Sequence, residues 1–269
     1  EVPVLVDLKP SGAHYMEHFH HAGGVPKLMR QLGDLIDLDA RTITGATLRD
    51  VVANAEEVPG QDVIRPRNDP IRREGAMAVL HGNLAPRGAV IKQSAASERL
   101  LQHTGRAVVF ESVGDMTLRV DDPALDVNAD DVLVLRNAGP KGAPGMPEAG
   151  YLPIPKKLGR DGVKDMVRIS DARMSGTAFG TIVLHITPES AVGGPLALVQ
   201  TGDRIRLDVA ARRIDLLVDD VELQRRREVL PAEVTPDWAQ RGYAQLFHET
   251  ILQADEGCDF DFMRGQGKG

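Results

Sequence analysis

Two glycine-rich segments of this 269-residue chain hold the side chains best suited to chemistry. The first, residues 139–148, ends in Glu148, and the second, residues 170–177, contains Ser175 and Thr177. Glycine and proline at this density set backbone turns that other residues rarely adopt, and loops constrained in this way often hold functional groups. The two segments therefore predict a site built from a carboxylate and hydroxyl groups.

Each of these side chains suggests a role and an alternative. A carboxylate that follows a proline-stiffened turn, as Glu148 does, can bind Mg²⁺, although it could equally cap a helix or face solvent. Serine alone is a poor base, but a divalent cation and the N–H groups of a glycine-containing loop could make an alkoxide of Ser175 accessible. Arg173 could bind a substrate carboxylate or pair with Asp171. The segment lacks the Gly-x-Ser-x-Gly elbow, so a hydrolase triad is not indicated.

Further motifs identify a family. Together with residues 187–199 and 201–205, the two segments resemble signature segments of the dihydroxy-acid and phosphogluconate dehydratase family. Residues 6–12 and 253–262 also look familial, and the latter, with residues 172–174, resemble the branch that dehydrates sugar acids. The resemblance spans nearly the whole chain, but it corresponds to only the second half of such an enzyme.

The resemblance implies a hydro-lyase that converts a 2,3-dihydroxy sugar acid into a 2-keto-3-deoxy acid. In the family pattern Glu148 is a magnesium ligand, Ser175 is the alkoxide base, Thr177 lies beside it in the catalytic site, and Arg173 is our candidate for substrate binding. The absent amino-terminal half is expected to supply the cysteines of a [2Fe-2S] cluster and the other magnesium ligands. The whole enzyme is expected to be a homodimer or homotetramer, and this chain alone to be inactive.

Two alternative functions stay open. One is a noncatalytic β-barrel module that binds or regulates a partner, although the presence of Ser175 and Glu148 argues against it. The other is a dihydroxy-acid dehydratase of branched-chain amino-acid biosynthesis.

Composition excludes several classes of protein. With 42% hydrophobic and 26% charged residues, the chain is expected to fold, and no apolar run approaches the roughly 20 residues that span a bilayer. Neither a basic leader nor an apolar signal core is present, so we expect a cytoplasmic protein. A net charge of −7 opposes nonspecific binding to nucleic acid, and Arg225–Arg227 is expected to be a solvated face.

The single cysteine, Cys258, cannot hold an iron–sulfur cluster, and acidic neighbours should raise the pKa of its thiol.

The hydrophobic pattern predicts a β-rich α/β protein in two parts. Residues 1–59 contain a strand over Val2–Leu8 and three short helices, and they resemble the end of the amino-terminal α/β domain of the family. His18, His20 and His21 on the first helix lack a suitable acidic partner, so we expect a surface or packing role. In residues 60–269, short β-branched runs separated by turns favour a barrel or a sandwich with peripheral helices and a carboxy-terminal helix from Thr235. The family resemblance implies that this part is a swivelling β-barrel-like domain. The predicted strands are 76–80, 88–92, 107–110, 131–135, 181–186, 204–209 and 213–218.

Overall fold

The computed structural model describes residues 2–143, 152–173, 179–231 and 235–264. By internal contacts the chain divides into two compact units, Glu1–Ala76 and Met77–Gly269. This division rests on contacts within each unit, whereas the boundary predicted at Pro59–Gly60 separates two family domains. The predicted domain boundary therefore stays a prediction.

The first unit contains the three predicted helices, α1 (Met16–His21), α2 (Gly24–Leu32) and α3 (Leu48–Ala53). The side chain of Thr47 caps α3, because its hydroxyl accepts the Asp50 N–H at 3.2 Å while the Asp50 carboxylate accepts the Thr47 N–H at 2.9 Å. His18, His20 and His21 are exposed on α1, which confirms their expected surface position.

The predicted strand over Val2–Leu8 is wrong. Val4, Val6 and Leu8 make only isolated bridges, and their partners are Arg72, Ile64 and His14 respectively. A regular strand needs one partner that continues in register, and these three partners come from different segments.

The second unit is an eight-stranded sheet that nearly closes into a barrel, which confirms the predicted fold class. The strand order is β1-β2-β6-β5-β4-β3-β7-β8, and His81, directly after β1, bridges Arg213 of β8. The two edge strands therefore meet. The strands are β1 (Ala78–Leu80), β2 (Gly88–Ile91), β3 (Gln102–Phe110), β4 (Val132–Leu135), β5 (Val167–Ser170), β6 (Ile182–Thr187), β7 (Arg204–Asp208) and β8 (Arg213–Leu216).

The helices of this unit are α4 (Val113–Arg119), α5 (Lys156–Arg160), α6 (Asp220–Glu228) and α7 (Gly242–Thr250). The helix predicted from Thr235 is divided into a 3₁₀ turn at Asp237–Ala239 and α7. Gly242 has a φ of 67°, a left-handed conformation that a continuous α-helix does not allow. No helix in the described parts of the chain is long and apolar enough to cross a bilayer.

The parallel strands are buried on both faces. Val132 and Val134 of β4 belong to one aliphatic cluster, whereas the alternate residues Leu133 and Leu135 belong to a second cluster that also contains Phe110. Successive side chains of a strand point to opposite faces, so both faces of the sheet are covered here. This explains the uninterrupted Val-Leu-Val-Leu run of β4.

Two buried arginines depart from the sequence-based expectations. Strand β5 was not predicted, because its second residue, Arg168, reads as polar, yet Arg168 is only 4% exposed and pairs with the buried Asp165. The expectation that Arg225–Arg227 is a solvated face is wrong for Arg226, which is buried and donates to both carboxylate oxygens of Asp203. Consecutive helical residues point about 100° apart, so the middle residue of the run faces the barrel.

Candidate active site

The four parallel strands β3, β4, β5 and β6 end at one edge of the sheet, here called the carboxyl edge. Their register places Phe110 opposite Leu135 and Leu135 opposite Ser170, so the last residues of β3, β4 and β5 lie side by side. Both glycine-rich segments begin at this edge, the first shortly after Leu135 and the second at Ser170 itself. Ligands of sheets with parallel strands commonly bind outside the carboxyl ends of the strands.

Asp171 joins three loops of the carboxyl edge. It directly follows β5 and is fully buried, with one carboxylate oxygen accepting the Ala138 N–H at 3.0 Å and the other accepting the Ser190 N–H at 2.8 Å. Burial raises the pKa of Asp171, and the N–H donors of Ser190 and Ala138 oppose that increase. One carboxylate therefore fixes the loops after β4, β5 and β6 relative to one another.

Glu189, two residues after β6, performs the same task for the first glycine-rich segment. Its buried carboxylate accepts the N–H groups of Lys141 and Gly142, each at 2.9 Å, and the side-chain amide of Gln253 at 2.6 Å. The Gln253 carbonyl oxygen in turn accepts the Glu189 N–H at 2.9 Å. Burial raises the pKa of Glu189, while these donors oppose the increase.

The glycines of the first segment make this approach possible. A Cβ atom on Gly139 would lie 2.5 Å from Glu189 Oε2, and one on Gly142 would lie 2.7 Å from the Asn137 carbonyl carbon. Neither space would accept a side chain without displacement of a buried carboxylate or of the backbone. The absence of a side chain is therefore required at Gly139 by the approach of Glu189 and at Gly142 by the approach of the Asn137 backbone.

Of the predicted site residues, the described parts of the chain contain Arg173, whereas Glu148, Ser175 and Thr177 lie outside the described residues. Arg173 is exposed at the carboxyl edge, two residues after the buried Asp171. The edge thus holds one predicted residue directly and the starts of both segments that contain the others.

His185 of β6 is a neighbour of Arg173 that the sequence analysis missed. Burial, and then the positive charge of Arg173, lower the pKa of His185 below its ordinary value, so the ring is neutral near pH 7. Its backbone N–H donates to the Ala172 carbonyl at 3.1 Å, which ties β6 to the second segment.

A pocket of about 370 Å³ opens at the same edge. The side chains of Glu111, Arg136 and Asn137 form one wall, and residues 190–193 form another. The Arg136 guanidinium binds the Glu111 carboxylate through two nitrogens, one at 2.7 Å, and donates to the carbonyl oxygen of Ala197 at 2.7 Å. These contacts hold the Arg136 guanidinium in one place, so the pocket contains a fixed polar group of the kind that orients a ligand.

The described residues do not themselves form a metal site. Among residues 2–143, 152–173, 179–231 and 235–264, no group of three or more histidine, cysteine, aspartate or glutamate side chains is arranged to hold a metal ion. Asp171 and Glu189 already accept N–H groups, and Cys258 is the chain's single thiol. The pKa of that thiol is raised, as predicted, mainly by burial and then by Glu189 and Asp255.

Comparison with known proteins assigns the family. The model of the dihydroxy-acid/6-phosphogluconate dehydratase C-terminal domain matches residues 62–258, and that of the N-terminal domain matches residues 1–51. The chain therefore belongs to the dihydroxy-acid/6-phosphogluconate dehydratase family.

Three relatives illustrate the similarity. The chain is 51% identical to the L-arabonate dehydratase of Azospirillum brasilense and 50% identical to the 6-deoxy-6-sulfo-D-gluconate dehydratase of Pseudomonas putida, in each case over 98% of this chain and 46% of the relative. It is 45% identical to the dihydroxy-acid dehydratase of Syntrophobacter fumaroxidans, over 95% of this chain and 45% of the relative. The chain thus spans about half the length of the curated relatives it matches.

The buried anchors had an indirect signal in the sequence. Glu189 lies within the motif at residues 187–199, and Gln253 is the first residue of the motif at 253–262. The two side chains are 64 residues apart, and only the folded chain shows that they bind each other. Sequence reasoning had attached no function to either residue.

Proposed function

We propose that this chain is the carboxy-terminal part of a hydro-lyase that dehydrates a sugar acid to a 2-keto-3-deoxy acid. The supporting observation is the pair of buried carboxylates, Asp171 and Glu189, which fix the starts of both glycine-rich segments at one edge of the barrel. The loops that carry Glu148 and Ser175 therefore leave the sheet from adjacent, firmly held positions, as a shared active site requires.

The sugar-acid assignment is supported by the relatives. Two relatives whose names specify sugar acids are 51% and 50% identical to the chain, and the dihydroxy-acid dehydratase is 45% identical. The substrate we propose is therefore an aldonic acid that carries hydroxyl groups at C2 and C3. Because the chain covers 46% of these relatives, the activity belongs to the full-length enzyme, and this chain alone is expected to be inactive.

The reaction divides into two parts that suit these residues. Ser175, as the alkoxide, takes the proton from C2, and the electron pair left behind forms the enolate next to the carboxylate. The C3–O bond then breaks, the hydroxide leaves as water after protonation, and the resulting enol becomes the 2-keto acid. Arg173 binds the substrate carboxylate, and Thr177 is placed with Ser175 on the same segment.

The cofactors complete this scheme. Glu148 is the one residue of this chain that we propose as a magnesium ligand. When bound, Mg²⁺ supplies positive charge beside the developing enolate, and a [2Fe-2S] cluster ligated by the amino-terminal half supplies a Lewis acid for the departing hydroxyl. We propose that the full-length enzyme assembles as a homodimer or homotetramer.

The test is a substrate and magnesium comparison on the full-length enzyme. Wild type and Glu148→Gln are assayed with several aldonic acids and with a branched 2,3-dihydroxy acid, across a range of magnesium concentrations. We expect preference for an aldonic acid and a much higher magnesium requirement in Glu148→Gln. Preference for the branched acid would contradict the substrate assignment, and an unchanged magnesium requirement would contradict the ligand assignment.

A further inference from the structure

Arg168 stands out as a buried charge at the centre of the sheet. It is the second residue of β5, is 4% exposed, and pairs with Asp165, which is 2% exposed, at 3.0 Å. Buried ion pairs contribute little net stability compared with apolar residues of similar size, because both charges lose their hydration. The position of Arg168 is therefore better explained by what its guanidinium holds.

Asp165 provides a fixed counter-charge for this guanidinium. Its carboxylate accepts the Thr181 N–H at 3.0 Å, the Thr181 hydroxyl at 2.7 Å and the Ser97 N–H at 3.2 Å. Burial alone would raise the pKa of Asp165, but these hydrogen bonds and the charge of Arg168 outweigh burial and lower it. Asp165 stays ionised, and it holds Arg168 in one orientation.

The other donors of Arg168 reach the first described residue after each glycine-rich segment. Nη1 donates to the Leu152 carbonyl at 3.0 Å, and Nη2 donates to the Phe179 carbonyl at 3.1 Å. Leu152 is the first described residue after 144–151, the stretch that contains Glu148. Phe179 is the first described residue after 174–178, the stretch that contains Ser175. One planar group thus binds the first described residue after each of the two stretches.

Gly180 is adapted to this arrangement. It has a φ of 114°, and a Cβ atom at this position would lie 2.0 Å from Arg168 Nη2. The absence of a side chain lets the guanidinium approach the backbone next to Phe179. Arginine suits the task because its rigid fork of five N–H donors can serve a carboxylate and two carbonyls at once, whereas lysine offers a single nitrogen.

We propose that Arg168 is a positioning residue of the dehydratase site, whose guanidinium fixes the backbone at Leu152 and Phe179 and thereby helps to position Glu148 and Ser175 in the preceding stretches. This inference rests on the proposed function, in which those two residues act in one site. Asp171 and Glu189 hold the starts of the same segments, so the described chain is held on both sides of residues 144–151 and 174–178. Arg168 itself does not contact substrate.

Arg106 provides a matched control. It also binds a buried aspartate, Asp131, through two nitrogens at 3.1 and 2.8 Å, and it donates to the Asp126 carbonyl at 3.2 Å. These contacts fix the chain just before β4 and involve neither glycine-rich segment. Arg106→Lys therefore removes a comparable set of contacts without releasing Leu152 or Phe179.

The experiment compares Arg168→Lys, Arg106→Lys and Ser175→Ala with wild type in the full-length enzyme. We expect Arg168→Lys to lower kcat about 100-fold, the order of loss that a displacement of roughly 1 Å causes, and to raise the half-saturating magnesium concentration several-fold. Arg106→Lys should lower the thermal midpoint by a smaller amount, since the Arg106 side chain is 28% exposed, and should leave both kinetic quantities unchanged. If Arg168→Lys does not fold, Asp165→Asn, which keeps the guanidinium but removes its counter-charge, takes its place with the same expectations.

The outcomes separate this inference from the proposed function. A fully active Ser175→Ala would overturn the proposed function itself. An inactive Ser175→Ala together with an Arg168→Lys variant whose kcat and magnesium requirement are both unchanged would overturn only the role of Arg168. A change in just one of the two quantities would also overturn the claim that one guanidinium positions both segments.

Discussion

Glu189 offers the most direct test of how the carboxyl edge is held together. Replacing Glu189 with alanine removes the acceptor for the N–H groups of Lys141 and Gly142 and for the Gln253 amide, all of which lie within 2.9 Å of the carboxylate. Each buried donor that loses its partner costs about 1–3 kcal/mol, but relief of the cost of burying a charge offsets part of the sum. We estimate a loss of about 3–5 kcal/mol in the free energy of unfolding.

A loss of this size is measurable. For a unit of about this length, each kcal/mol moves the thermal midpoint by about 2–4 °C, so Glu189→Ala should lower it by about 6–20 °C. Thermal unfolding followed by circular dichroism gives the midpoint. Glu228→Ala, which removes an exposed carboxylate on α6, is the matched control and should cost less than about 0.5 kcal/mol.

The same pair of variants can refute the anchoring role of Glu189. If Glu189→Ala melts within 1–2 °C of Glu228→Ala, the buried carboxylate does not anchor the first glycine-rich segment. Asp171 would then be the one remaining buried anchor of the carboxyl edge described here.

Two further predictions concern pH and metal content. Burial raises the pKa of Asp171 in the folded state above its ordinary 3.8, so between the folded-state and unfolded-state pKa the folded protein retains a proton that the unfolded chain has lost. The free energy of unfolding of the wild type therefore falls as pH rises through that interval. In urea unfolding, Asp171→Asn should therefore gain stability relative to wild type as pH rises above 3.8, and a difference that does not vary with pH would contradict this sign. Anaerobic incubation of this chain with iron and sulfide should yield no iron–sulfur cluster, because Cys258 is its single cysteine; stoichiometric cluster absorbance from monomeric protein would refute the assignment of the ligands to the other half.

The sequence was informative wherever local patterns decide structure. An apolar residue at every position, as in β4, indicates a strand that is buried on both faces. Thr47 followed by Asp50 indicates the start of α3. Strand β5 was not predicted, because the burial of Arg168 depends on Asp165 and on the carbonyl oxygens of Leu152 and Phe179. A pattern of polar and apolar residues cannot reveal that a charge is neutralised by tertiary contacts.

The residues of the candidate site also fall into those that the sequence indicated and those that only the folded chain shows. Glycine density and the family motifs indicated the two segments and, through them, Arg173, Glu148, Ser175 and Thr177. The anchors of those segments had no local signal. Glu189 binds Gln253, which is 64 residues away in the sequence, and Asp171 meets Ser190 only because β5 and β6 end at the same edge. What the fold adds is therefore the frame that holds the predicted segments.

The central claim, that this chain contributes the base of a sugar-acid dehydratase, is tested most directly by the turnover of Ser175→Ala in the full-length enzyme. Thr117→Val, which removes a hydroxyl from α4 whose hydrogen bond to Val113 stays within its own helix, is the control. Loss of a general base typically costs about 10²–10⁴-fold, so we expect kcat for the preferred aldonic acid to fall by that factor while metal content and thermal midpoint match those of Thr117→Val. Turnover of Ser175→Ala within a few-fold of wild type would remove Ser175 from the mechanism and contradict the account.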